Sequence, residues 1–210
     1  MHFIVVLLAA IVLCFFVYVF GTIVVAKVLR VPFDEVGLFV GPRLFGVKRN
    51  GVEYRLNAIP LGSYVRFSRP EFESTSGIKL VAVSLAGCVA TFLMAVLCLS
   101  GPDAVHMLFR GFVQILSGAL GPRDEGAALV RSGADFVRHH GFVAVLGATA
   151  AKSTAFNLLP LPNLAGGMSI LTLLGVRRSE RAAIIAGTVG VVFTLVLCGC
   201  WVIAIISALG

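Results

Sequence analysis

A chain of 210 residues that is 59% apolar and 13% charged has too little polar surface for an ordinary soluble domain, which is about 45–50% apolar and about 25% charged. The net charge of +7 comes without the interleaved aromatic and basic stripe that binds single strands, so no nucleic acid partner is expected. The basic loops instead suit membrane lipid with anionic headgroups. Cys14, Cys88, Cys98, Cys198 and Cys200 all lie in apolar runs. With no C-x-x-C pair, they are expected to be small buried apolar side chains rather than a disulfide framework.

The first predicted element is a membrane span over residues 3–29, with an uncharged core from Phe3 to Ala26. About 20 apolar residues cross roughly 30 Å of hydrocarbon. The run has no basic n-region and is longer than the usual apolar stretch of a cleaved signal, so a retained span is expected. A cation-rich loop follows. In it Leu44–Lys48 and Val52–Asn57 flank Arg49-Asn50-Gly51, and Asn50-Gly51 supplies the positive φ of a tight hairpin turn. A third strand over Ser63–Phe67 completes a small sheet expected within residues 41–67.

The second span covers residues 79–100. Residues 101–140 form the next loop, where Ala104–Leu120 is apolar but contains Arg110 and predicts an interfacial helix. Gly121–His140 is more polar and is expected to be partly helical. The third span, residues 141–176, carries one charge, Lys152, and is longer than a straight crossing needs. It is broken over residues 160–167, where Pro160 and Pro162 remove backbone donors and Gly166-Gly167 loosens the next stretch of chain. Irregular backbone at membrane depth is tolerated only where protein or a polar cavity covers it, so the break marks the inside of a bundle. The fourth span covers residues 182–209.

Loop charge sets the expected orientation. The first loop holds Lys27, Arg30, Arg43, Lys48, Arg49, Arg55, Arg66, Arg69 and Lys79, and the third holds Arg177, Arg178 and Arg181. In the second, Arg110, Arg123, Arg131 and Arg138 are balanced by Asp103, Asp124, Glu125 and Asp135. Loops one and three are therefore expected in the cytoplasm, with both termini external, in a multi-pass protein of the inner (cell) membrane. The fold class is an all-α polytopic membrane protein. It is one domain of about four transmembrane helices, with a small β-sheet in the first cytoplasmic loop.

Several segments, in order, carry a family resemblance. They are Gly21-Thr22-Ile23-Val24-Val25-Ala26-Lys27-Val28-Leu29, Gly41-Pro42-Arg43-Leu44-Phe45-Gly46, Glu53-Tyr54-Arg55-Leu56, Ile59-Pro60-Leu61-Gly62-Ser63-Tyr64-Val65, Ser84-Leu85-Ala86-Gly87 and Asn157-Leu158-Leu159-Pro160-Leu161-Pro162. The sequence resembles the site-2 protease family of intramembrane zinc metalloproteases, over most of the chain except roughly residues 101–140. The resemblance implies a zinc ion held by the two histidines of H-E-x-x-H and the aspartate of L-D-G. Histidines four apart share a helix face, and the Glu between them activates the bound water.

This chain departs from the pattern at those positions. Tyr18 and Thr22 stand at the two histidine positions, Val19 at the glutamate and Ala165 at the aspartate. Valine and alanine have no donor, and neutral hydroxyls are poor zinc ligands beside imidazole. No catalytic residue, no metal ligand and no zinc are therefore expected. His106, His139 and His140 fall in the outer loop, and adjacent histidines do not share a helix face. Family members often carry a peptide-binding domain of the PDZ type between the second and third spans, and residues 101–140 are too few for one.

The resulting expectation is an inactive family member that binds a transmembrane protein partner, or sits in a larger membrane complex, as a regulatory, adaptor or assembly subunit. The alternatives are an active metalloprotease with non-standard ligands and a transport or channel element. Broken helices also build transport sites, but the sequence has no internal repeat. The groove candidates are Tyr18, Lys152, Asn157, Pro160, Pro162, Asn163, Gly166 and Gly167, with Asn50 and Gly51 at the hairpin. Each has a plainer role available. Tyr18 fills the lost metal's space or is a packed aromatic. Lys152 points into the site or to a partner's acid, or it snorkels to the outer interface. Asn157 bonds an incoming strand or a freed carbonyl. The hairpin adds a partner's strand or forms a lid.

Overall fold

The computed structural model describes residues 2–68, 75–176 and 180–209. Arg69, Arg177 and Arg178, three of the cations used for orientation, lie outside the described residues. The chain is an α-helical membrane protein with a small sheet. Helix α1 (His2–Val28) meets no charge before Lys27 in its last turn. It closes in a Schellman turn, in which Val31 N–H donates to the Ala26 carbonyl at 2.8 Å and Arg30 N–H to the Lys27 carbonyl at 3.1 Å. Arg30 sits at φ +55 in the place that glycine usually takes.

Strands β1 (Phe33–Arg49) and β2 (Val52–Phe67) come next. Asn50 and Gly51 between them have φ of +50 and +82, the two positive values of a type I′ turn. Both strands bend. Val36 is paired with Val65 and also with Tyr54, and Tyr54 is paired in turn with Val47. Four segments therefore lie side by side, in the order 63–67, 33–38, 53–56 and 43–49. The bend in β1 falls at Phe39 and Gly41, both at positive φ, where the Asn57 amide donates to the Phe39 carbonyl at 3.0 Å.

The sheet thus begins at Phe33 rather than at residue 41 as expected. Asp34 and Glu35 mask that strand in the sequence. Burial reveals it, because Phe33 and Val36 pack in one cluster with Val19, Ala26, Val31, Leu80 and Val83.

Helix α2 (Gly77–Cys98) is central, with α1 against it on one side. Helix α3 (Gly101–Leu120) starts at Ser100, whose hydroxyl accepts the Asp103 N–H at 3.2 Å. A five-residue π turn leads to α4 (Ala127–His139). Residues 101–140 are therefore almost wholly helical, and α3 packs against α5 (Phe142–Asn157) and α7 (Glu180–Leu209). Gly111 makes this approach possible, since a Cβ there would lie 2.9 Å from Ala155 Cβ.

Among the described residues, three helices, α1, α2 and α7, are long and apolar enough to cross a membrane. The third predicted span forms two short helices in series, α5 and α6 (Ala165–Leu173), packed along α2. Gly147 of α5 lies against Cys98 and Leu99 at one end of α2, and Thr172 of α6 lies by Gly77 at the other. Cys14 and Cys88 are buried, whereas Cys198 is exposed on α7. That corrects the expectation that every cysteine is buried: α7 contacts the bundle along one side, and its remaining faces stay apolar and open.

Candidate functional site at the helix break

The break runs from Leu158 to Leu164, shorter than the expected 160–167, because α6 already begins at Ala165. Gly166 and Gly167 belong to its first turn. They do not loosen the chain. A Cβ on Gly166 would stand 2.2 Å from the Leu158 carbonyl oxygen, and one on Gly167 would stand 2.1 Å from that of Leu161. The two hydrogens let the loop fold back over the start of the helix.

The break also meets α7. Thr194 donates to Asn163 Oδ1 at 3.0 Å. A Cβ on Gly190 would lie 2.9 Å from both Pro162 Cβ and Asn163 N. Pro160 is exposed and Pro162 half-buried. Asn157 ends α5 with its amide donating to the Ser153 carbonyl at 2.9 Å, so it serves its own helix end.

On α1, Tyr18 lies over Gly87 of α2, so closely that a Cβ there would be 2.6 Å from ring Cε2. Gly21 makes the reciprocal approach, since a Cβ on it would be 3.0 Å from the Ala86 carbonyl oxygen. Small residues let α1 and α2 pack closely, as membrane helices must where no hydrophobic drive holds them together. Thr22 is buried, and its hydroxyl donates to the Tyr18 carbonyl at 3.0 Å. Val19 is 6% exposed and packs in the cluster that joins the bundle to the sheet. Ala165 is buried, with its carbonyl accepting the Ser169 hydroxyl at 2.7 Å.

Lys152 is not brought to the break. Its stem lies by Gly111 of α3, two residues from Thr154, which faces α2, and hence on about the opposite side of a helix turning 100° per residue. The hydroxyl pair that sequence reasoning missed is Thr91–Thr154. These side chains are 1% and 2% exposed, and their oxygens are 2.9 Å apart between α2 and α5. The sequence signal was weak, since Thr154 stands beside Thr149, Lys152 and Ser153 in its own span.

The donor chemistry can be tested against a zinc ion. Tyr18 and Thr22 offer one neutral hydroxyl each, Thr22's is turned onto its own helix, and Val19 and Ala165 offer nothing. Among the described residues, no group of three or more His, Cys, Asp or Glu side chains comes together. These residues do not fit the ion.

The sequence model of peptidase family M50 matches residues 6–197. The chain belongs to peptidase family M50. This is the site-2 protease family that the sequence resembles. The M50 chain is similar to three proteins each named "putative zinc metalloprotease". It is 33% identical over 100 residues to one from Chlamydia pneumoniae, an alignment covering 38% of this chain and 16% of that protein. For one from Fusobacterium nucleatum the identity is 32% over 95 residues, covering 41% and 28%. For one from Clostridium perfringens it is 30% over 93 residues, covering 40% and 28%. The M50 chain thus spans under a third of the length of these relatives.

Proposed function

We propose that this M50 protein is catalytically inactive and binds a transmembrane segment of a partner protein as a regulatory, adaptor or assembly subunit. One observation carries the reading: Tyr18, Val19, Thr22 and Ala165, at the positions assigned to the metal-binding motifs, cannot hold and activate a zinc-bound water. The retained break is its second support. A proline-interrupted span closed by Gly166 and Gly167 keeps irregular backbone inside a bundle, where a partner's chain has polar groups to meet. The open segment 43–49 at the sheet's edge offers a further place for a strand. In this reading the sheet side is cytoplasmic, both termini are external, and the membrane is the inner membrane.

The competing reading is an active zinc metalloprotease, favoured by the names its relatives carry. Metal analysis of the purified full chain, with cleavage of a single-span reporter in liposomes, separates the two. The expected result is substoichiometric zinc and no chelator-sensitive cleavage. The variant Tyr18→His/Val19→Glu/Thr22→His/Ala165→Asp is expected to gain bound zinc. One zinc per wild-type chain together with chelator-sensitive cleavage overturns the inactive reading. The partner half is tested by a photo-crosslinking residue at Leu161, which is expected to capture a membrane-spanning chain in native membranes. Crosslinks to lipid alone overturn it.

A further inference from the structure

A cavity of about 390 Å³ lies where α1 ends and the Asn50-Gly51 turn folds back beside it. Lys27, Arg30 and Arg49 line it, together with Tyr54 and Asn50, and no carboxylate does. Its apolar lining includes Ala26, Val31 and Phe33, none more than 9% exposed.

The nearby acids are engaged elsewhere. Asp34 accepts the Ser68 hydroxyl. Glu35 takes Arg55, Arg66 and the Tyr64 hydroxyl. Glu53 takes Arg43 and Arg55. Among the described residues, no ion pair reaches Lys27, Arg30 or Arg49. Arg30 moreover holds the left-handed position of the Schellman turn, where glycine is the unstrained choice. The fold thus accepts backbone strain at an exposed cation that lines this cavity.

The C-terminus of α1 is a negative pole that by itself disfavours an anion. Its charge is only about half an elementary charge, and the Arg30 and Val31 N–H groups close off two of its carbonyls. Three full cations outweigh it. The apolar run of α1 ends at Val28, which puts the cavity at headgroup level beside the bilayer.

We propose that this cleft binds a phosphate-bearing anion, either the headgroup of an anionic phospholipid or a free phosphate ester. The two guanidinium forks match phosphate oxygens and Lys27 adds a point charge. The apolar lining suits the glycerol or chain attached to the phosphate.

The test titrates fluorescent phosphatidylglycerol into the full chain in phosphatidylcholine nanodiscs at about 0.15 M salt, where charges more than about 8 Å apart are screened, with inorganic phosphate as competitor. Saturable binding is expected, weakened on the order of 100-fold by Lys27→Gln/Arg30→Gln/Arg49→Gln, at about fivefold per cation near a membrane surface. The matched variant Lys48→Gln/Lys79→Gln/Arg123→Gln is expected to stay within about twofold of wild type, since all cations but those of the cleft contribute little to a specific site. Should the first variant fail to fold, Arg30→Gly keeps the turn unstrained and is expected to weaken binding about fivefold. Displacement only at high millimolar phosphate assigns the site to lipid, and displacement at micromolar phosphate assigns it to a free ester. Two results overturn the proposal: equal weakening by both triple variants, or a wild type that prefers neither phosphatidylglycerol to phosphatidylcholine nor phosphate to chloride.

Discussion

The helix bundle and the sheet solve the same packing problem with different emphasis. In the bundle, contacts are made by subtraction. Gly21, Gly87, Gly111, Gly147, Gly166 and Gly167 each lack the one carbon that would block a neighbour. In the sheet, where Gly37 likewise makes room for the Tyr64 ring, charge is added, through a buried Glu35 held by Arg55, Arg66 and Tyr64 and a Glu53 held by Arg43 and Arg55. The difference follows from the surroundings. Between apolar helices in lipid no water is released, so close approach and dispersion carry the association. Outside the hydrocarbon, charge is available and cheap to solvate, and hydrogen-bonded ion pairs set the register of a bent sheet.

The comparison is broken most severely at the helix break. Gly166→Ala places a carbon 2.2 Å from the Leu158 oxygen and 2.8 Å from that of Leu159. Both are backbone atoms, which cannot swing aside as a side chain does. The expected destabilisation is about 3 kcal/mol, at the upper end of overpacking costs, read as a lower unfolding midpoint in detergent. Gly187→Ala is the control. It lies in α7 with nothing within 4 Å of the added carbon, and it should be neutral or stabilising by about 0.5–1 kcal/mol. Equal effects at the two positions would show that close approach is not what the first glycine provides.

The sequence showed the spans, the Asn50-Gly51 turn and the broken third crossing, because length, hydropathy and proline are local signals. It hid the features that depend on a partner from elsewhere in the chain. The strand from Phe33 was masked by Asp34 and Glu35, and Glu35 is buried only because Arg55, Arg66 and Tyr64 arrive from the second strand. Gly166 and Gly167 read as looseness until the returning loop was seen to lie on them. Lys152 drew attention as a charge in a span, yet helical phase turns it toward Gly111. At the candidate site the residue types were legible, since Val19 and Ala165 carry no donor side chain in any fold. The packing of the Tyr18 ring over Gly87 was not legible, because it depends on how α1 and α2 meet.

A smaller effect is expected at the bundle's one polar joint seen between α2 and α5. Thr91 and Thr154 are nearly isosteric with valine, so Thr91→Val removes the 2.9 Å contact without opening a cavity. Each hydroxyl also has a carbonyl of its own helix within reach, Gly87 or Cys88 for Thr91 and Ala150 for Thr154. The remaining hydroxyl is therefore not stranded, which caps the cost. A double-mutant cycle with Thr154→Val is expected to give a coupling of about 0.6 kcal/mol and no more than about 1.7 kcal/mol, the range of hydroxyl contacts between membrane helices. A coupling of zero would mean that the two threonines merely satisfy their own helices, and that α2 and α5 are joined by shape alone.

The smallest effect belongs to the sheet and depends on pH. The hydrogen bond from Arg55, aided by the charges of Arg55, Arg43 and Lys48, holds the Glu53 carboxyl below the usual carboxylate range. A carboxylate depressed by folding contributes its stability above the unfolded value near pH 4.3 and loses it as pH falls through the folded one. Backbone hydrogen exchange over Val47–Arg55 should therefore be flat from pH 7 down to about 4.3, once corrected for its intrinsic pH dependence, and rise below. Glu53→Gln should exchange faster at pH 7 and lose that part of the acid response. The change is expected to be slight, since Arg43 is half exposed and water screens the pair. An unchanged acid profile in the variant would place the response on another group and leave the bent strands, rather than this pair, holding the register.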